Sequence, residues 1–189
     1  IASMIYPVGP IARDAPSGAF ARVNEDATLT VWTGVADVGQ GAHVVLRQIA
    51  AEELGIEFEN VHLIKGDTDI IPFDAGSTGS RVTHIAGNAV RMVVAKIKEQ
   101  LLKQASEMLE VTKADLRIER GQVFVAGAPR RGLPLADVAL ASHRAGKLIV
   151  EKVSHAPSGL HVDETTGQGK PHACYVFATQ CAEVEVDEE

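Results

Sequence analysis

Between residues 86 and 108 apolar side chains recur every three or four positions: Ala86, Ala89, Val90, Val93, Val94, Ile97, Leu101, Ala105 and Met108. That spacing lines one face of an α-helix. Lys96, Glu99, Lys103 and Glu107 fall on the far side, in register for i, i+4 pairs. The pattern predicts a helix of about 25 residues, roughly 35–40 Å long, central to its domain. Gly87 near its start implies that another backbone or a ligand passes close by. A second helical stretch carries Ala42, Val45, Leu46, Ile49 and Ala50 and stops at Leu54-Gly55. A third, shorter one spans 134–145, with Leu135, Val138 and Ala139 facing inward.

Elsewhere the rhythm is two, the period of a half-buried strand. Residues 19–23 and 28–33 read as strands joined by an Asn24-Glu25-Asp26 turn, and 61–65 as another. With the helix at 42–54 this makes a strand–helix–strand unit. A small hairpin is expected over 116–125, a strand over 148–153, and a closing strand over 175–186, where Glu183, Glu185 and Asp187 alternate with Ala182, Val184 and Val186. The expected fold is α+β: mixed sheets with strand–helix–strand units packed on one long central helix. Residues 1–18, rich in Gly and Pro, read as a leading loop; 19–112 and 113–189 form two halves of one partial domain, the second holding a flexible loop at 154–172. Both ends look cut, so the sequence is expected to be a fragment of a longer protein.

Composition narrows the class. With 46% hydrophobic and 23% charged residues the chain reads as soluble and globular, and aromatics at 4% leave the core to aliphatic residues. A formal charge of −7 speaks against general nucleic-acid binding, and no apolar run is long enough to cross a bilayer. Cys174 and Cys181 lie an odd number of positions apart, on opposite faces of the expected strand, so reduced thiols and a cytoplasmic setting are expected.

Two loops carry candidate chemistry. Gly76-Ser77-Thr78-Gly79-Ser80-Arg81 offers small and hydroxyl-bearing residues just before the long helix. Helix starts present unpaired N–H groups and a partial positive charge, which suits a phosphate; the same residues are equally ordinary turn and cap residues. Gly39-Gln40-Gly41 also leads from a strand into a helix. It is no dinucleotide fingerprint, since Val44 stands where the third glycine belongs, and no Gly-Lys-Ser/Thr follows either loop. If the two helices lie side by side, their starts can share one multi-phosphate ligand. His43 and His84 flank the loops as possible donors or caps, Asp67 and Asp69 read as turn chemistry, and Gly167-Gln168-Gly169 reads as a flexible loop. His161, His172, Cys174 and Cys181 match no metal-ligand spacing.

The series Asp37-Val38-Gly39-Gln40-Gly41-Ala42-His43, Ala50-Ala51-Glu52-Glu53-Leu54-Gly55, Gly66-Asp67-Thr68-Asp69, Gly76 to Arg81 and Ala86-Gly87-Asn88-Ala89-Val90 resembles the molybdopterin-binding large subunit of the xanthine dehydrogenase and aldehyde oxidase family. The closing Ala182-Glu183-Val184-Glu185-Val186-Asp187 is similar to a strand of that subunit. The resemblance implies that Gly39, Gln40 and Gly41, with Ser77, Thr78, Gly79, Ser80 and Arg81, hold the pyranopterin and phosphates of molybdopterin, in bacteria usually as the cytosine dinucleotide. It implies an oxidoreductase that hydroxylates a carbon centre of N-heterocycle or aldehyde type with water, passing electrons to iron–sulfur and FAD subunits or domains. The family's catalytic glutamate sits in a Gly-x-Gly-Glu motif that this sequence lacks: Lys170 follows Gly167-Gln168-Gly169. The expectation is therefore a cofactor-holding fragment, inactive alone and with its cofactor occupancy open, that joins the remainder of the molybdenum subunit. The competing expectation is a non-redox phosphate or nucleotide module.

Overall fold

A computed structural model describes residues 1–9 and 15–187. Residues 10–14 of the expected leading loop, and the final 188–189, lie outside the described residues. Strands β1 (Ala2–Pro7), β2 (Ser17–Val23) and β3 (Leu29–Thr33) precede helix α1 (Ala42–Leu54) and strand β4 (Val61–Ile64). A single π-helical turn, Val82–Ala86, then runs directly into α2 (Gly87–Leu109). Strands β5 (Leu116–Glu119), β6 (Gln122–Val125) and β7 (Ala128–Pro134) follow, then α3 (Leu135–Arg144), β8 (Val150–His155), β9 (His161–Val162), β10 (Gly169–Lys170) and β11 (Tyr175–Gln180).

The main sheet has the order β4-β3-β2-β8, with β3 and β4 parallel and the other pairs antiparallel. Helix α1 makes the crossover that a parallel pair requires. In β2 the alternate residues Ala19, Ala21 and Val23 are fully buried, and their small size lets α2 lie close against the sheet. The α2 stripe from Ala89 to Ala105 fills the layer between that sheet, α1 and α3. A side-chain carbon at Gly87 would come within 2.8 Å of Ile49 Cδ1, so the neighbour expected beside Gly87 is α1 itself. The α+β architecture around one long helix is as the hydrophobic pattern predicts.

The departures have physical reasons. Ala2–Pro7, inside the expected leading loop, is a strand; it pairs antiparallel with β11, from Ala2 opposite Gln180 to Pro7 opposite Tyr175. It is exposed along most of its length and so carries no burial rhythm. The closing strand expected over 175–186 is found as β11 over Tyr175–Gln180, the residues paired with β1, and 181–187 continues without regular structure. Strand β7 completes a three-stranded sheet through a sequence, Ala-Pro-Arg-Arg-Gly-Leu-Pro, of low strand preference. The charged face of α2 reaches outward rather than along the helix: Glu99 binds Lys113, Lys147 lies 3.5 Å from Glu107, and Lys96 4.0 Å from Glu151. Within 154–172 the short β9–β10 pair is closed by Asp163, which takes the N–H groups of Thr165 and Thr166; those bonds hold its carboxyl below the usual range.

Candidate functional site: a cleft at two helix starts

Both glycine loops come to the same end of the molecule, where α1 and the π-turn of α2 begin. Ser77 Oγ donates to the carbonyl of Ala36 at 2.6 Å and so ties one loop to the other. Between them lies a cleft of ≈ 530 Å³, lined by Val38 and Gln40 on one side, Ser77 to Thr83 on the other, and Val176 of β11. Of the residues expected at the site, Gln40, Ser77, Thr78, Gly79, Ser80 and Arg81 line this cleft. Gly39 and Gly41 stand behind it, giving the first loop its left-handed turns at φ 104° and 77°.

The two helix starts differ in what they leave open. At α1 the donors are already engaged by the chain's own carboxylate. Asp37 accepts from Gly39 N at 2.9 Å, His43 N at 3.2 Å and Gly41 N at 3.3 Å. These N–H bonds, Gly39 and His43 foremost, hold the Asp37 carboxyl below the ordinary carboxylate range. Gln40 is likewise turned inward, accepting from Val38 N at 2.7 Å and reaching the Ala36 carbonyl at 3.2 Å. His43 takes a bond from Lys65 Nζ on Nδ1 at 2.8 Å, which leaves Nε2 to donate to the Val35 carbonyl at 2.9 Å. It braces the loop.

At the second start the situation is reversed. Among the described residues the hydroxyls of Thr78, Ser80 and Thr83 have no hydrogen-bond partner. Gly76 (φ 99°) has open space where a side chain would stand, so the backbone there is approachable. Ser80 adopts φ 55°, a left-handed conformation uncommon for a residue with a side chain. His84 lies one residue beyond the cleft; with Arg91 it faces His155, whose own charging is disfavoured first by burial and then by those two neighbours.

Arg81 is the surprise of the loop. Its side chain is 0% exposed and points away from the cleft's mouth into the loop's base. Nη1 binds Asp74 Oδ1 at 3.0 Å and the Gly76 carbonyl at 2.8 Å. Nη2 reaches Ser17 Oγ at 2.9 Å and the carbonyls of Ala15 and Pro16 at 2.5 and 3.1 Å. Asp74 in turn accepts from Ser17 Oγ at 2.5 Å and Gly76 N at 2.7 Å. Among the described residues no carboxylate lines the cleft, and the one cation lining it is this neutralised one. Among the described residues, no group of three or more His, Cys, Asp or Glu side chains is placed to hold a metal ion. The buried Asp74–Arg81–Ser17 cluster escapes sequence reading because Ser17 lies far from Asp74 and Arg81 in the chain.

The fold is shared with solved oxidoreductases. The chain superposes on quinoline 2-oxidoreductase from Pseudomonas putida 86 with a TM-score of 0.77 and 26% identity, covering 82% of this chain and 22% of that one. It superposes on carbon monoxide dehydrogenase from Oligotropha carboxidovorans with a TM-score of 0.73 and 27% identity, over 82% and 21% of the two chains. A family model for the molybdopterin cofactor-binding domain matches residues 1–189, and the chain belongs to that family. It is 40% identical over 119 residues to the 6-hydroxypseudooxynicotine dehydrogenase complex subunit gamma of Paenarthrobacter nicotinovorans, covering 63% of this chain and 15% of that protein. It is 33% identical over 141 residues to a putative xanthine dehydrogenase molybdenum-binding subunit of Escherichia coli, covering 71% and 19%. The chain thus spans a fifth or less of the length of these two relatives. The resemblance to molybdenum hydroxylases noted in the sequence is borne out.

Proposed function

We propose that the cleft holds the phosphate-bearing tail of molybdopterin, in its cytosine dinucleotide form, on behalf of a molybdenum hydroxylase. One observation carries this reading: at the start of α2, hydroxyls without a partner and a glycine-opened backbone face a cleft that, among the described residues, no carboxylate lines. Such a surface fits a diphosphate, whose oxygens need donors and an approachable backbone. Thr78, Ser80 and Thr83 supply hydroxyls, Ser77 ties the loop to its neighbour through Ala36, Gly79 and Ser80 supply N–H groups, and Gln40 closes the facing wall. Gly39 and Gly41 serve by shaping the turn, and Arg81 by its place in the loop.

When bound, the cofactor supplies the redox chemistry: oxidation of a carbon centre of N-heterocycle or aldehyde type, with water as the oxygen source. The N-heterocyclic side is favoured by relatives named for quinoline and xanthine. The chain's own part is to bind and orient. Neutral donors are what it offers an anion, and the two carboxylates that bond the loops, Asp37 and Asp74, are committed to the start of α1 and to Arg81. The described lining of the cleft offers no carboxylate to move a proton, and we assign the proton transfer and turnover to the remainder of a molybdenum subunit, with iron–sulfur and FAD partners taking the electrons. Among the described residues no helix is long and apolar enough to cross a membrane, and we place the assembly in the cytoplasm.

Calorimetric titration with cytidine diphosphate tests the site. Saturable binding that weakens in Ser80→Ala is the expected result, and no measurable binding to the unaltered chain would remove the reading. Molybdenum and pterin analysis of the protein purified from its source tests the cofactor itself. Nucleotide binding without molybdenum or pterin would instead favour a non-redox module.

A further inference from the structure

Arginine next to a phosphate cradle invites the assumption that it pairs with the phosphate. The bonds made by Arg81 argue otherwise. Four of its five N–H donors are already directed at the protein: two from Nη1 to Asp74 and Gly76, two from Nη2 shared among Ala15, Pro16 and Ser17. The fifth, on Nε, is buried and has no partner among the described residues. Its charge is answered by Asp74 at 3.0 Å, with both side chains all but fully enclosed. Both Nη groups and the charge of this cation are thus committed to the protein rather than to a ligand in the cleft.

What the guanidinium does instead is close a ring. Its bond to the Gly76 carbonyl joins the last residue of the Ser/Thr loop to the first, while Asp74 holds the N–H of that same glycine. The loop between therefore has both ends fastened to one rigid, planar fork, and a left-handed residue, Ser80, completes it. The fork is anchored to the sheet through Ser17, the first residue of β2, itself 0% exposed. Asp74 is approached from the other side by Gly34, the residue after β3: a side-chain carbon there would meet the Pro72 carbonyl at 2.5 Å and Asp74 Cβ at 2.9 Å. The loop's shape is thus referred directly to the strands beneath it.

We infer that Arg81, with Asp74 and Ser17, is the positioning device of the cleft: it acts on a bound diphosphate by fixing where the loop's hydroxyls and N–H groups stand, and makes no bond to it. This rests on the reading of the cleft as an anion site. A lysine cannot replace it, because an ammonium lacks the fork that reaches Asp74, Gly76 and Ser17 together.

The test is titration of cytidine diphosphate into the whole chain and its Arg81→Lys and Ser17→Ala variants, at a temperature where circular dichroism shows each variant fully folded. Positioning predicts that both variants lose affinity, on the order of 10-fold, since displacing donors by a fraction of an ångström already loosens a built site. It also predicts that the salt dependence of binding stays that of the unaltered chain, because no ligand charge pair is lost. Affinity kept in Arg81→Lys, or a flatter salt dependence in it, marks a direct ion pair and overturns the inference. Unchanged affinity in folded variants that merely melt earlier marks a purely structural cluster and overturns it too. Should Arg81→Lys fail to fold, Ser17→Ala and Asp74→Asn decide by the same comparison. Absence of binding to the unaltered chain removes the anion-site reading itself, an outcome distinct from any difference between variants.

Discussion

Ser80 is held in a conformation that a glycine would adopt without strain, yet it presents a hydroxyl to the cleft. Left-handed backbone at a residue with a side chain costs of order 1 kcal/mol or more and persists where the surroundings impose it. Ser80→Gly should therefore leave stability unchanged or raise it by up to about 1 kcal/mol in thermal unfolding. The same change should weaken cytidine diphosphate binding, so that stability and binding move apart. Asp37 gives a pH prediction. Its folded-state carboxyl titrates below the 3.8 of an unperturbed side chain, because N–H groups of the loop favour the charged form. The stabilisation is complete above that value and is lost as the pH falls below 3.8 through the lower folded pKa. Asp37→Asn should consequently unfold with a flatter acid limb, followed by circular dichroism between pH 5 and 2; an unaltered limb would show that the carboxylate contributes nothing. The residues of the two loops were legible in the sequence as a group, because glycine and hydroxyl residues at helix starts are a local signal. Which of them faces a ligand was not. The inward turn of Arg81 and the occupation of the α1 start by Asp37 depend on bonds that spacing cannot show.

Among the elements, the strand–helix–strand unit and α2 followed their hydrophobic periods closely, since burial on one face is what those periods encode. Strands β1 and β7 did not, for the converse reason: they are almost wholly exposed, so nothing in their sequence repeats. Their existence depends on partner strands elsewhere. The segment 72–76 shows the same dependence in an irregular stretch. It crosses the ends of β2 and β3, bonded through Gly18 N to the Phe73 carbonyl at 2.8 Å and Ala75 N to the Pro16 carbonyl at 3.2 Å. Gly34 is the point of closest approach, where even a methyl group would collide with backbone. Gly34→Ala should cost about 1–3 kcal/mol by forced displacement of the crossing segment. Because Asp74 lies in that segment, the variant should also lose nucleotide affinity while still folded. A variant that keeps both its melting temperature and its affinity would show that the crossing is looser than the structure indicates.

At the scale of the whole molecule, the buried aliphatic core under the main sheet is continuous from α1 to α3, whereas the β1–β11 ribbon lies outside it and leaves Ile5, Tyr175 and Phe177 largely exposed. The ribbon nonetheless reaches the cleft: Val176 forms part of its wall, Val8 N binds the Cys174 carbonyl at 3.0 Å, and Gly9 N binds the Gly79 carbonyl at 2.7 Å. That arrangement has a consequence in time. Strands β1 and β11 are far apart in sequence, pairing from Pro7 opposite Tyr175 to Ala2 opposite Gln180, so their pairing closes a long loop of chain that encloses the whole core. Contacts of such long separation form slowly, and an apolar strand waiting for its partner is open to wrong partners in the meantime. In pulse-labelled hydrogen exchange during refolding, the amides of β1 should gain protection after those of α2 and β2. Simultaneous protection would mean that the ribbon forms with the core. If the order is as expected, the wall contributed by Val176 is the last part of the cleft to be built, and the site matures only when that long loop has closed.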